Sequence, residues 1–199
     1  MRPKLLDLFC GAGGAAVGYH RAGFDVFGVD IRPQKNYPFD MAVADAMTFP
    51  LDGFDAIHAS PPCQRWAPST RWRGTIDGHP DLLLPTIDRL TRSGVPWVVE
   101  NVPHAPIAPD FVLCGSMFGL EVIRHRWFVT SWAGFALVPP CHHDRFHPFM
   151  HKNERAFADA LGCTWMSKME ARQAIPPAYT AWMGQHLLDE LARWENAGA

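Results

Sequence analysis

A chain of 199 residues with a net charge of −2 and 48 % hydrophobic residues is long enough for one domain with a proper core, and its composition excludes a disordered or fibrous protein. No apolar run reaches the roughly 18 residues of a membrane span, and the N-terminus lacks the apolar segment of a secretion signal. The charge balance supplies no global field for nucleic acid, so any such binding must come from local basic patches. Five scattered cysteines, an odd number, argue for reduced thiols in a cytoplasm rather than a disulfide framework.

In chain order, Lys4–Phe9 reads as a short apolar strand and Cys10–Gly14 as the turn after it. A helix over Ala15–Ala22 ends at Gly23, and Val26–Asp30 form a second strand that finishes in an acid. Strand, glycine turn, helix, strand and acid make the first half of a Rossmann-type unit. Gly11, Gly13 and Ala16 satisfy G-x-G-x-x-A, so this segment alone admits a nicotinamide cofactor, another nucleotide, or a tight turn with no ligand. Met41–Asp45 reads as a third strand closing on an acid. Asp30 and Asp45 suit a ribose and an adenine amino group respectively; each also suits a cap or a solvated turn.

Phe54–Ala59 reads as a buried strand. Ser60-Pro-Pro-Cys-Gln64 then leaves the sheet on two prolines, which fix two φ angles and remove two backbone donors. Cys63 on this exit stands where open parallel sheets bind ligands, although a lone cysteine is often a small core residue. Arg65, Arg71 and Arg73 follow, interleaved with Trp66 and Trp72 and with no acid among them. That mixture suits phosphate contact plus base stacking, or a surface loop whose tryptophans cover the core.

Leu83, Ile87 and Leu90 mark one face of a helix with Pro85 in its first turn or kinking it, closed by Ser93-Gly94. Pro96–Val99 continue into a buried strand that ends on Glu100. A carboxyl there is costly to ionise, the condition for donating a proton near neutral pH. Phe111–Cys114 and Trp127–Thr130 are two more strands, and between them Arg124 and Arg126 could clamp an anion or pair with Glu100. Residues 131–170 break the β-α rhythm. Cys141, His142, His143 and His147 there match no standard zinc spacing, so no metal is expected. A closing helix after Pro176-Pro177 carries Tyr179, Met183, Leu187, Leu191 and Trp194 as an apolar stripe to pack on the sheet.

In this order, the motifs resemble the cytosine-C5 DNA methyltransferase family. Asp7-Leu-Phe-Cys-Gly-Ala-Gly-Gly14 is similar to its S-adenosylmethionine loop, Pro61-Pro-Cys-Gln64 to its nucleophile motif, Glu100-Asn-Val102 to its acid motif and Arg124-x-Arg126 to its paired arginines. Ala174–Gly184 resembles, more loosely, the last motif, which returns to the cofactor pocket. The resemblance implies an α/β, Rossmann-like S-adenosylmethionine-dependent methyltransferase fold, a mostly parallel sheet with helices on both faces. It implies a single domain over residues 1–199, with 131–170 as a reduced insertion in place of a target-recognition domain.

Chemistry explains why such residues are needed. Cytosine C5 is too poor a nucleophile to take a methyl group directly. A thiolate adding at C6 makes C5 carbanion-like, and a carboxyl at N3 offsets the developing charge. By resemblance these are Cys63 and Glu100, with Arg126 on the pyrimidine O2 and Arg124 supporting the site. The resemblance puts the cofactor against Asp7, Phe9, Gly11, Gly13, Gly14, Asp30, Ile31, Asp45, Ala46 and Pro62, with Phe9 stacked on the adenine. Gln64, Arg65, Arg71 and Arg73 would meet DNA around a flipped cytosine, in the cytoplasm of a bacterial or phage-infected cell.

The chain departs from the family pattern in places. Val122 stands where a glutamine is usual, Asp30 where a glutamate is usual, and Gln185 where an asparagine commonly follows the final glycine. About 40 residues occupy the place of the target-recognition domain, too few for an ordinary independent domain. Rival readings are C5-methylation of RNA or a free cytosine nucleotide, a nucleic-acid-binding module without turnover, and a nicotinamide oxidoreductase.

Overall fold

The computed structural model describes residues 1–66, 80–132, 136–138, 140–143 and 154–197. Its strands are β1 (Lys4–Leu8), β2 (Asp25–Asp30), β3 (Met41–Val43), β4 (Ala56–Ala59), β5 (Trp97–Asn101), β6 (Phe111–Leu113) and β7 (Arg126–Thr130). The helices are α1 (Gly14–Ala22), α2 (Leu83–Ser93), α3 (Glu154–Ala160), α4 (Lys168–Gln173) and α5 (Pro177–Ala197). The sheet runs β3-β2-β1-β4-β5-β7-β6. The pairings from β3 through β5 are parallel, and β7 alone runs against its two neighbours, β5 and β6.

Both faces of this sheet are covered, as a mostly parallel sheet requires. Because strand side chains alternate, Leu5, Val26, Ala56, Val98 and Phe128 pack on one face beneath α1 and α5, which contribute Tyr19, Tyr179, Met183 and Leu187. Leu6, Leu8, Val29, Ile57, Ala59 and Val99 pack on the other face beneath α2, through Leu83 and Leu90. Pro85 sits in the first turn of α2, where a missing N–H costs nothing. Gly18 lets α1 and α5 touch: a Cβ there would collide with the Thr180 hydroxyl and the Pro177 carbonyl.

β1 lies between β2 and β4, so the chain reverses its direction of travel across the sheet there. That reversal opens a crevice outside the carboxyl ends of β1 and β4, the usual ligand position in open α/β sheets. The glycine turn and Cys63 both leave from those two strands.

Several expectations need adjustment. Phe9 is not the end of β1: its φ of 59° turns the chain out of the sheet. β3 stops at Val43, so Asp45 is a turn residue; its Oδ1 accepts the Met47 N–H at 2.8 Å. The apolar stripe of α5 runs off the core at its end, because Trp194 is 44 % exposed and donates to Glu190. Residues 154–173 fold into α3 and α4, which bring Ala158, Leu161, Met166 and Ala171 into a third cluster with Ala12 and Val122. Val122, at the family's glutamine position, is thus spent on packing. Arg71, Arg73 and His147 lie outside the described residues.

Candidate active site

Two halves make the site, each built at one strand end. After β1, Phe9 holds a left-handed backbone that a bulky residue rarely adopts, a strain often found at functional sites. The following turn is tied down by Asp30 at the end of β2. Its Oδ2 accepts the Gly11 N–H and its Oδ1 the Arg32 N–H, both at 3.0 Å. Gly14 is required because a Cβ would strike the Ile175 carbonyl, where the chain returns before α5. Trp165 closes the turn from above, donating its indole N–H to the Ala12 carbonyl at 2.9 Å.

Asp7 lies beneath this turn and is 1 % exposed, and among the described residues neither carboxylate oxygen has a hydrogen-bond partner of good geometry. Burial, with the Asp30 charge adding to it, pushes its carboxyl well above the usual range; the nearby Tyr37 hydroxyl offsets this only in part. A buried carboxyl without a donor is costly unless a ligand supplies one.

The second half leaves from β4 and β5. Asn101 donates from Nδ2 to the Pro61 carbonyl at 3.1 Å, so the proline exit is fastened to the neighbouring strand end. Glu100 is 6 % exposed and its Oε1 meets Arg126 Nε at 2.9 Å. Burial pushes the Glu100 carboxyl up; Arg126 and then Arg124 pull it back. The Cys63 thiol is pushed up by burial and by the Glu100 charge, with Arg126 opposing. Behind them runs a buried chain of polar groups. Tyr19 Oη lies 3.0 Å from His58 Nδ1, and His58 Nε2 lies 2.8 Å from Ser60 Oγ. Burial holds His58 neutral, its pKa lowered to about 3.

A single cavity of about 450 Å³ joins the two halves. Asp7, Phe9, Gly11, Gly14, Asp30, Ile31, Pro62, Cys63, Gln64, Glu100 and Arg126, all residues singled out in the sequence, line it. Gly13 does not; it packs on Tyr37 and Pro38 and starts α1 in a left-handed conformation. Asp45 and Ala46 also stand outside the lining. Arg124 is set back, and donates to the Ala174 and Arg172 carbonyls at 3.1 and 2.7 Å. It therefore positions the wall that contains Ala174 and Ile175 rather than the cavity's contents. Arg65 faces Asp81 at 3.9 Å and Trp66, away from the lining.

Sequence reasoning missed His58 and the wall formed by Glu170 and Gln173, and it quoted Ser60 and Asn101 within motifs without giving either a role. A histidine in the middle of an apolar strand was the available signal for His58. Gln185, in place of the family's asparagine, donates to the Ala22 carbonyl at 3.1 Å and ties α5 to α1.

A family model described as C-5 cytosine-specific DNA methylase matches residues 3–105, which hold the glycine turn, Cys63 and Glu100. The type II methyltransferase M.FnuDI of Fusobacterium nucleatum is 32 % identical over 111 residues, 50 % of this chain and 32 % of that protein. Among solved structures, an E. coli prophage protein described as a DNA modification methyltransferase superposes with a TM-score of 0.50 at 22 % identity, over 64 % of this chain and 46 % of that one. The Entamoeba histolytica methyltransferase EhMeth gives 0.64 at 12 % identity, over 96 % and 99 %. At these identities the solved structures speak for the fold alone, a mostly parallel α/β sheet. The chain spans about a third of the length of M.FnuDI and under half of the prophage protein. The family model covers half of this chain, and the catalytic-type residues it takes in share one cavity: the chain belongs to the C-5 cytosine-specific DNA methylase family.

Proposed function

We propose that this protein transfers a methyl group from S-adenosylmethionine to C5 of cytosine in DNA, through a covalent adduct at Cys63. The observation that carries this is the shared cavity, where the Cys63 thiol and the Glu100–Arg126 pair face a glycine turn over a buried Asp7.

The residues fit the cofactor. The Asp7 carboxylate suits the cationic methionine end, Asp30 suits the ribose hydroxyls, and Phe9 with Ile31 offers apolar surface for the adenine. When bound, S-adenosylmethionine supplies an electrophilic sulfonium methyl group. The protein's own residues do the rest. Cys63 adds as thiolate to C6, and its electron pair moves the C5–C6 double bond onto C5. Glu100, protonated, donates to N3 and offsets the negative charge that spreads through the ring. Arg126 holds Glu100 in place and offers guanidinium protons to the pyrimidine O2. Once C5 has gained the methyl group it loses its proton, and expulsion of Cys63 restores the double bond.

The target base would be flipped out of the duplex to reach Cys63. Residues 1–199 would act as one methyltransferase domain, with 131–170 in the place of a larger reader. Five scattered cysteines, an odd number, favour work in a reducing cytoplasm. Among the described residues no helix is long and apolar enough to cross a membrane. Radiolabelled S-adenosylmethionine offered with duplex DNA, single-stranded DNA, RNA or dCTP tests the reading. Label in DNA cytosine is the expected outcome; label confined to RNA or dCTP overturns the substrate.

A further inference from the structure

A second group of reactive side chains gathers away from the cavity, and the proposed reaction uses none of them. Cys114 follows β6, His125 precedes β7, and Cys141 and His143 belong to the stretch after β7. One ligand-type atom from each lies within 4.8 Å of all the others. The Cys114 Sγ to His143 Nε2 and Cys141 Sγ to His125 Nε2 distances are both 3.5 Å, and Cys141 Sγ to His143 Nε2 is 2.6 Å. A tetrahedral zinc ion, with bonds of about 2.3 Å to sulfur and about 2.0–2.1 Å to nitrogen, sets its sulfur and nitrogen ligands roughly 3.5 Å apart. Two edges of the group already have that length, and the third is compressed.

The surroundings are those of a metal site. The His125 and His143 rings stand 5.0 Å apart at 80°, edge to face, as neighbours on a tetrahedron can. Ser116 Oγ lies 3.7 Å from the Cys114 sulfur and 3.4 Å from the Cys141 sulfur, where a hydroxyl can support thiolate ligands. Its Oγ also accepts the His142 N–H at 3.2 Å, so the same side chain pins the incoming strand of ligands. Residues 140–143 are all exposed and bury no apolar side chain that could anchor them.

We infer that Cys114, His125, Cys141 and His143 form a structural zinc site that fastens the segment after β7 to the β6–β7 edge of the sheet. Two thiolates and two imidazoles in a closed tetrahedral set fit zinc, which needs no redox partner and leaves no open position. The sequence reading, which expects no metal, looks for ligands close in sequence. It weighed Cys141 and His143 with His142 and His147, whereas Cys114 and His125 come from the other side of β7. The site also bears on the reaction, a consequence that rests on the functional reading above. His125 stands between Arg124 and Arg126, and its carbonyl accepts from Arg126 Nη1 at 2.8 Å. A metal on its ring therefore holds the peptide that carries both arginines.

The test is metal content and spectroscopy, independent of methylation. The full chain, purified without chelator, should carry about one zinc ion by mass spectrometry. Stripped protein reloaded with cobalt(II) should show the strong visible bands of a tetrahedral site with thiolate charge transfer. Cys141→Ser and His143→Ala should each lose the metal and the bands, while Cys63→Ser keeps them. If a variant is insoluble, cobalt titration of the stripped wild-type chain answers the same question. Absence of zinc together with absence of cobalt bands, undiminished metal in both variants, or a native Cys114–Cys141 disulfide overturns the inference. Inactive protein that retains one zinc ion would count against the functional reading alone.

Discussion

Glu100 sits between opposed forces, burial raising its carboxyl pKa and the Arg126 guanidinium 2.9 Å away lowering it. Glu100→Gln keeps the shape and loses the titrating proton, so methyl transfer should fall about a hundredfold, the usual loss for a general acid. The same change removes a negative charge that raises the Cys63 pKa. Alkylation of Cys63 by iodoacetamide, followed against pH, should therefore rise at lower pH in Glu100→Gln than in the wild type. An unmoved curve would show that the carboxylate does not act on the thiol. His58 gives a stability prediction. Its pKa is about 3 in the fold against 6.5 for the free side chain, so the unfolded chain takes up a proton that the folded one refuses. Stability from this group is complete above about pH 6.5 and is lost as pH falls toward 3, by up to about 1.4 kcal/mol per pH unit. Urea unfolding between pH 6 and 4 should have a flatter pH slope in His58→Gln; an unchanged slope contradicts a neutral His58.

The elements work through close approach. In α1, Gly18→Ala would gain about 1 kcal/mol in helix propensity. The added Cβ meets the Thr180 hydroxyl and the Pro177 carbonyl, and overpacking of that kind costs roughly 1–3 kcal/mol or more. The collision should win, and a higher urea midpoint would refute the α1–α5 contact. Much of the element order was legible because apolar runs and turn residues punctuate it cleanly. Gly23 ends α1, Pro85 opens α2, and prolines 61 and 62 mark the end of β4. The helices at 154–173 were not legible. Their buried residues, such as Ala158 and Ala171, are few, and their partner Ala12 lies in a turn far away in sequence. The site shows the same division. Cys63, Glu100 and Asp30 announce themselves at strand ends, whereas Arg124's role depends on carbonyls at 172 and 174 that only the fold brings near. Asp45 stays open between two roles, because a carboxylate that ends an apolar run looks alike as a ligand and as a turn cap, and its bond to the Met47 N–H uses only one of its oxygens.

For the whole molecule, the proposal that residues 131–170 stand in place of a larger reader carries a prediction about recognition. Each good bidentate base contact gives about 1–3 kcal/mol of discrimination, so few contacts imply a target of about two to four base pairs if the chain acts alone. Bisulfite sequencing of DNA modified by the purified protein reads this directly; a long, strict site would contradict it. Affinity should fall steeply with salt, since phosphate contacts from arginines carry most nonspecific binding. The proposed reaction turns on the covalent bond at Cys63. A duplex bearing 5-fluorocytosine has no proton to lose from C5, so the adduct cannot be released after methyl transfer. With S-adenosylmethionine present, the wild-type chain should gain the mass of the methylated oligonucleotide on the peptide that contains Cys63, and Cys63→Ser should gain none. Methylated cytosine produced by Cys63→Ser, or an adduct mapped to another cysteine, would contradict the mechanism.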